Sequence, residues 1–192
     1  MKNQLIISLL IFSVGFSQKE YDINHVLEKK GVYIKKFSNE EVNGSVYQMF
    51  GDIKMDLGYI KNGKKEGLWT WWFENGEKKN EGTFEDGKEN GLHKWWYENG
   101  HKSEERAYKN GKKDGLWTKW YDNGQKGIEG TYKDGLEFGL WTYFYENGQK
   151  QIEGIYTDWE KVGKWTYYNE DGSIKEVKEY PFPNWITQRF YS

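Results

Sequence analysis

Between Gly67 and Tyr180 the chain writes one unit of 24 residues almost five times without slipping by a residue. The units open Gly67-Leu68-Trp69-Thr70, Gly91-Leu92-His93-Lys94, Gly115-Leu116-Trp117-Thr118, Gly139-Leu140-Trp141-Thr142 and Gly163-Lys164-Trp165-Thr166. Each runs through an aromatic pair into a turn: Glu74-Asn75-Gly76, Glu98-Asn99-Gly100, Asp122-Asn123-Gly124, Glu146-Asn147-Gly148 and Glu170-Asp171-Gly172. A fixed period of this length means a repeat architecture in which each unit is one supersecondary element.

Asn-Gly between runs of aromatic and β-branched residues is a hairpin signal, and a two-residue type I′ loop at Asn75-Gly76 sets the register. Residues whose numbers sum to 151 then pair, so Trp69 faces Gly82. The same rule sets Trp117 against Gly130 and Trp141 against Gly154. Gly91, Gly115, Gly139 and Gly163 face Tyr108, Tyr132, Tyr156 and Tyr180. The unit with His93 in the Trp position has Arg106 opposite it in place of Gly, and Trp165 faces Lys178. These pairs predict a large ring lying over a bare glycine on the facing strand. The second turn, Asp86-Gly87-Lys88-Glu89 and its counterparts, holds either four residues, stacking position i on i+24, or two, shearing the stack by two residues per unit. Side-chain parity survives either choice.

One face then carries Trp69, Trp71, Phe73 and Phe84, and the other Leu68, Thr70, Trp72, Lys79, Glu81 and Thr83. A lone hairpin is marginal in water, so the copies must share ladders and bury ring on ring. The expected fold is all-β: an elongated antiparallel meander of stacked hairpins, roughly 48 Å long for ten strands about 4.8 Å apart.

Met1-Lys2, an apolar run from Leu5 to Val14 and small residues at Gly15 and Ser17 read as an export leader, residues 1–17, cleaved near Ser17. Residues 18–57 are out of register with the repeat and read as an N-terminal β cap over the first sheet edge. Within them, 32–37 and 45–50 are strands joined by the polar turn 38–44. Gly58-Tyr59-Ile60-Lys61-Asn62-Gly63-Lys64 matches Gly82 to Lys88 and begins the repeat region, 58–180. Pro181 and Pro183 end the ladder, and the tail, 181–192, is expected to fold back over the last strand.

The formal charge of −2, or −3 without Lys2, gives no basic footprint, which argues against nucleic acid and against contact with anionic membranes. Zero Cys excludes disulfides and thiolate metal sites. His25, His93 and His101 have no metal spacing, and no phosphate-cradling loop is present, so no metal and no cofactor are expected. The recurring acidic residues Glu74, Glu98, Asp122 and Glu146 are turn chemistry, since a set of equivalent turns does not form one asymmetric catalytic pocket. The binding candidates are therefore aromatic. Trp72, Trp96, Trp120, Phe144 and Tyr168 recur once per unit on the Thr-Lys-Glu face, a row able to stack on sugars or on a partner's apolar side chains.

Gly-Leu-Trp-Thr, the aromatic pair, Glu-Asn-Gly and Glu-Gly-Thr-Phe-Glu-Asp-Gly-Lys together resemble the bacterial MORN-repeat variant, whose members carry the label YwqK-type antitoxin-like protein. The resemblance covers roughly residues 58–180. It implies a non-catalytic interaction scaffold, with protein assembly and, in some members, lipid contact as the family's associations. Three readings follow: an exported scaffold for a protein partner, a carbohydrate or cell-wall binder using the aromatic row, and an antitoxin-like partner of a toxin. The leader sits badly with the third, because an antitoxin meets its toxin in the cytosol. Gly163 to Ser173 also resembles a unit of the choline- or glucan-binding cell-wall repeats, which are shorter than 24 residues.

Overall fold

The computed structural model describes residues 19–184; the expected leader, 1–17, and the expected tail from 185 onward lie outside the described residues. The strands are β1 (Glu20–Asp22), β2 (Val26–Lys29), β3 (Val32–Lys35), β4 (Gly44–Phe50), β5 (Ile53–Lys61), β6 (Lys64–Trp72), β7 (Lys78–Glu85), β8 (Lys88–Glu89) and β9 (Gly91–Trp96). They continue as β10 (Lys102–Lys109), β11 (Lys112–Trp120), β12 (Lys126–Lys133), β13 (Leu136–Phe144), β14 (Lys150–Thr157), β15 (Glu160–Tyr168) and β16 (Ile174–Tyr180). Fourteen of them form one sheet in which, from β4 onward, consecutive strands are neighbours, except that β8 and β9 both pair with β7, and β2–β3 form a separate hairpin. The fold is the expected all-β meander of hairpins.

The expected pairs hold on the backbone: Trp69 is opposite Gly82, Trp117 opposite Gly130, Trp141 opposite Gly154 and Trp165 opposite Lys178. The turn that sets them is different from the expected type I′ loop. Gly76 donates to the Phe73 carbonyl at 3.0 Å and Phe73 to the Glu77 carbonyl at 2.8 Å, and of the turn residues only Gly76 has positive φ, at 84°. This is a type I turn closed by a glycine bulge, and the register shifts by one between Trp71 and Trp72. Asn75 acts through its side chain, whose Oδ1 accepts from the Glu77 N–H at 2.9 Å.

The type I′ geometry belongs to the second turn. Asp86 and Gly87 have φ of 50° and 81°, Asp134 and Gly135 52° and 95°, and the loop holds two residues. Both alternatives for this turn are realised in different parts of the strands. Next to it, Tyr132 pairs with Glu137, the sheared register; farther along, Glu129 pairs with Thr142, which restores the 24-residue stack. The two extra residues are absorbed around the unit's leading glycine, Gly139, at a φ of 74° that a side chain would resist.

The N-terminal region departs further from a pure antiparallel meander. β1 runs parallel to β4 at the sheet edge, and β3 pairs with β2, not with β4 across the 38–44 connection. β5 continues unbroken across positions 57 and 58 into the Asn62-Gly63 turn. Val26, Val42, Val46, Leu57, Ile60 and Trp69 form a buried cluster here, which gives the first repeat a packed core that the single-layer ribbon lacks elsewhere.

Candidate functional site

The ring-on-glycine contact exists, on the opposite neighbour from the one expected. A β-carbon on Gly82 would stand 2.1 Å from the His93 ring, one on Gly130 2.3 Å from Trp141, one on Gly154 2.1 Å from Trp165 and one on Gly58 2.6 Å from Trp69. Each ring therefore covers the glycine eleven residues before it, across the second turn. Trp69 does not cover Gly82, nor Trp117 Gly130, nor Trp141 Gly154, although each pair is directly opposite in the ladder. Trp69, His93, Trp141 and Trp165 are all at most 2% exposed. Ring nitrogens of Trp69, His93 and Trp165 reach the carbonyls of Tyr59, Thr83 and Ile155 at 3.1, 2.9 and 3.2 Å; the buried Nε1 of Trp141 finds no acceptor.

Trp117 is the exception because the residue eleven before it is Arg106. Its ring stays half-buried, its Nε1 donates to the Glu104 carboxylate, and the Arg106 guanidinium lies 5.7 Å from it and 5.2 Å from Trp95. The stacked rings of this face thus run from Trp69 to Tyr108 and from Trp117 to Tyr180, with a cation in the gap. The same face carries Lys65, Glu89, Lys113, Glu137 and Lys161 at equivalent positions, alternating in sign. Lys65 sits among Trp69, Trp71 and Phe84 at 4.7–4.9 Å, and burial pulls its ammonium below the usual lysine value.

On the other face, Trp72, Trp96, Trp120, Phe144 and Tyr168 do form one row, each half-buried. The first four are each opposite a lysine: Lys78, Lys102, Lys126 and Lys150. Lys78 Nζ lies 6.0 Å from the Trp96 ring and Lys102 Nζ 5.6 Å from that of Trp120. Each lysine is fixed by a glutamate three residues on, Lys78–Glu81 at 2.8 Å and Lys102–Glu105 at 2.6 Å, and the Lys78 bond holds the Glu81 carboxyl below the ordinary range. The row is a ladder of alternating rings and ammonium groups, less open to a sugar face than bare rings are.

Beside it runs a second, aliphatic row, contributed by the second residue of the first four units. Leu68, Leu92, Leu116 and Leu140 are 46–59% exposed, and their strand partners are Thr83, Ala107, Thr131 and Ile155. Trp159 is also exposed, at 61%, in a turn position with φ of 65° where the earlier units have glycine.

The family profile of the MORN repeat variant matches residues 65–86, 89–110, 113–134, 139–158 and 161–180, more than half of the chain. The chain belongs to the MORN-repeat family. No curated protein matches it. The profile's first three matches start 24 residues apart, each at the ring-face residue Lys65, Glu89 or Lys113, so the MORN unit corresponds to the alternating-charge register.

The turns link one MORN unit to the next. Tyr97, Tyr121 and Tyr145 hydroxyls donate to the carbonyls of Trp120, Phe144 and Tyr168 at 2.7–2.8 Å. Asn99, Asn123 and Asn147 amides donate to Asp122, Glu146 and Glu170 carbonyls at 2.9–3.1 Å. The first unit has Phe73 in the tyrosine position, and Asn75 makes no such link. On its other side the β5–β6 ladder stops at Tyr59–Glu66, and beyond it the strands are bridged by indoles: Trp69 donates to the Tyr59 carbonyl at 3.1 Å and Trp72 to the Asp56 carbonyl at 2.9 Å. A cleft of about 630 Å³ opens where the symmetry fails, walled by Phe50, Trp71, Trp72 and Phe73. Among the described residues, no group of three His, Cys, Asp or Glu is placed to hold a metal ion.

Proposed function

We propose that this protein is an exported, non-catalytic scaffold whose MORN ribbon presents a protein-binding surface. The exposed leucine row carries the reading. Four leucines repeat on one face of a single-layer sheet, with neutral Thr, Ala and Ile side chains opposite them. A contiguous apolar strip of this kind is what a partner covers. Its fixed spacing, two strands or about 10 Å per leucine, suits an elongated partner engaging several units at once. The leader assigns the meeting place to the envelope or beyond it, which fits a scaffold better than the antitoxin-like role.

The test is crosslinked capture from envelope extract with Leu92→Glu plus Leu116→Glu as the comparison. The wild type is expected to retain a partner that the double variant loses at unchanged thermal midpoint. Equal recovery by both proteins, or recovery of nothing by either, sinks the reading. Fractionation of the native host for a chain starting near Gln18 tests the export component separately.

A further inference from the structure

We infer that the cleft at the first turn is a saccharide-binding site for neutral pyranose sugars. It stands at the one place where three regularities of the ribbon lapse together. The β5–β6 ladder ends early, the inter-turn hydroxyl bond is absent at Phe73, and the Asn75 amide has no carbonyl to hold. The resulting space falls within the roughly 300–1,000 Å³ typical of small-ligand sites.

The lining decides the chemistry. Phe50, Trp71, Trp72 and Phe73 line it. Lys65 Nζ lies 4.7 Å from the Trp71 ring and Lys79 Nζ 5.6 Å from that of Phe73, which leaves Phe50 and Trp72 without an ammonium over them among the described residues. The electron-rich face of an aromatic ring attracts the weakly positive C–H face of a pyranose. Around them stand Gln48, Glu74, Asn80 and Glu98, whose side chains make no hydrogen bond or ion pair among the described residues. Sugar hydroxyls are donors and acceptors at once, and amides with carboxylates supply both partners. Two carboxylates against one ammonium, Lys79, give the site an excess negative charge, which disfavours uronic or phosphorylated sugars. A proline-rich peptide would also seek the rings, but it presents few groups for so many free polar side chains. The site shares Trp72 with the end of the ring-and-lysine ladder, whose other members, from Trp96 to Tyr168, run away from it.

The experiment is calorimetric titration of the full chain with cellohexaose, chitohexaose and laminarihexaose, and with a polyproline decapeptide. At least one hexasaccharide is expected to bind saturably. Phe50→Ala and Asn80→Ala are each expected to weaken that binding tenfold or more, at unchanged thermal midpoint for Asn80→Ala. Phe73→Tyr, which restores the repeat's hydroxyl, is expected to weaken it without loss of stability. Phe144→Ala, in the distant row, and the Leu92→Glu plus Leu116→Glu variant are expected to bind as the wild type does. Absence of saturable heat with all three sugars, binding of the decapeptide alone, or a loss that follows Phe144→Ala overturns the inference. None of these results bears on the leucine row, so the scaffold reading stands or falls by its own test.

Discussion

The Trp165 indole lies face-on over Gly154, so close that a β-carbon there would stand 2.1 Å from Cδ2 of the ring. Gly154 has ordinary extended φ, so a methyl group meets only the ring and no backbone penalty. Gly154→Ala is therefore expected to cost about 1–3 kcal/mol by overpacking. Lys178, directly opposite Trp165 on the other neighbour, makes only exposed contacts, to the Glu176 carboxylate at 3.2 Å and over the Tyr167 ring at 5.2 Å, which contribute little. Lys178→Gly is expected to cost no more than the roughly 0.5–1 kcal/mol of added chain entropy. Urea midpoints for the two variants decide it, and equal midpoints would refute the ring placement.

That contact also shows what the sequence can and cannot say. Every inner strand has two neighbours, and a period of 24 makes the glycine 13 residues after a Trp equivalent to the one 11 before it. Only the ends separate the two choices: Gly58 precedes the first ring, and no glycine faces the last. Register was legible because both turn types carry Gly at fixed spacing, while the class of each turn was not, since Asn-Gly and Asp-Gly suit both. The parallel β1 and the cleft depend on where a ladder stops, which is a tertiary outcome with no local signal. The leucine row is written in Gly-Leu-Trp-Thr, but a single leucine beside a Trp has no local mark of exposure; only the sheet shows that its face is left uncovered.

Arg106 occupies the place where Trp117 would find a glycine. Arg106→Gly is expected to let the Trp117 ring settle onto β10 and become buried like Trp141. Its indole N–H then moves from the Glu104 carboxylate to the Ala107 carbonyl, as Trp69 and Trp165 do with Tyr59 and Ile155. A crystal structure of the variant, or the exchange protection of that indole proton, checks it. An indole still held by Glu104 refutes it.

The alternation Lys65, Glu89, Lys113, Glu137, Lys161 keeps like charges two repeats apart on the ring face. Glu89→Lys places three ammonium groups in succession about 10 Å apart, with Lys65 half-buried among rings and less well screened than a free side chain. The expected cost is about 0.5–2 kcal/mol, recovered in part at molar salt, whereas Glu89→Gln loses less and responds less to salt. Thermal midpoints across a salt series measure both, and a salt-independent loss would point to packing instead.

Burial, with the Glu137 carboxylate beside it, pushes the Tyr132 phenol up to about 12. A phenol that ionises less readily in the folded chain than in the unfolded one, where its value is about 10, favours the fold while neutral. That contribution is complete below about pH 10 and is lost as the pH rises towards 12. The Tyr132→Phe variant is expected to show a shallower fall in thermal midpoint over this window. Parallel alkaline limbs for wild type and variant would contradict it.

Trp159 holds a left-handed turn conformation that Gly63, Gly87, Gly111 and Gly135 adopt without strain in the corresponding turns. A bulky side chain there costs about 1–3 kcal/mol, and the ring, mostly exposed, recovers little of it by packing. Trp159→Gly is accordingly expected to raise the urea midpoint, by roughly 1 kcal/mol of stability. If partner capture falls in the same variant, the strain is being kept for an anchor, since large exposed aromatic residues dominate binding energy at interfaces. A variant less stable than the wild type would show that the indole packs in solution more than its exposure allows.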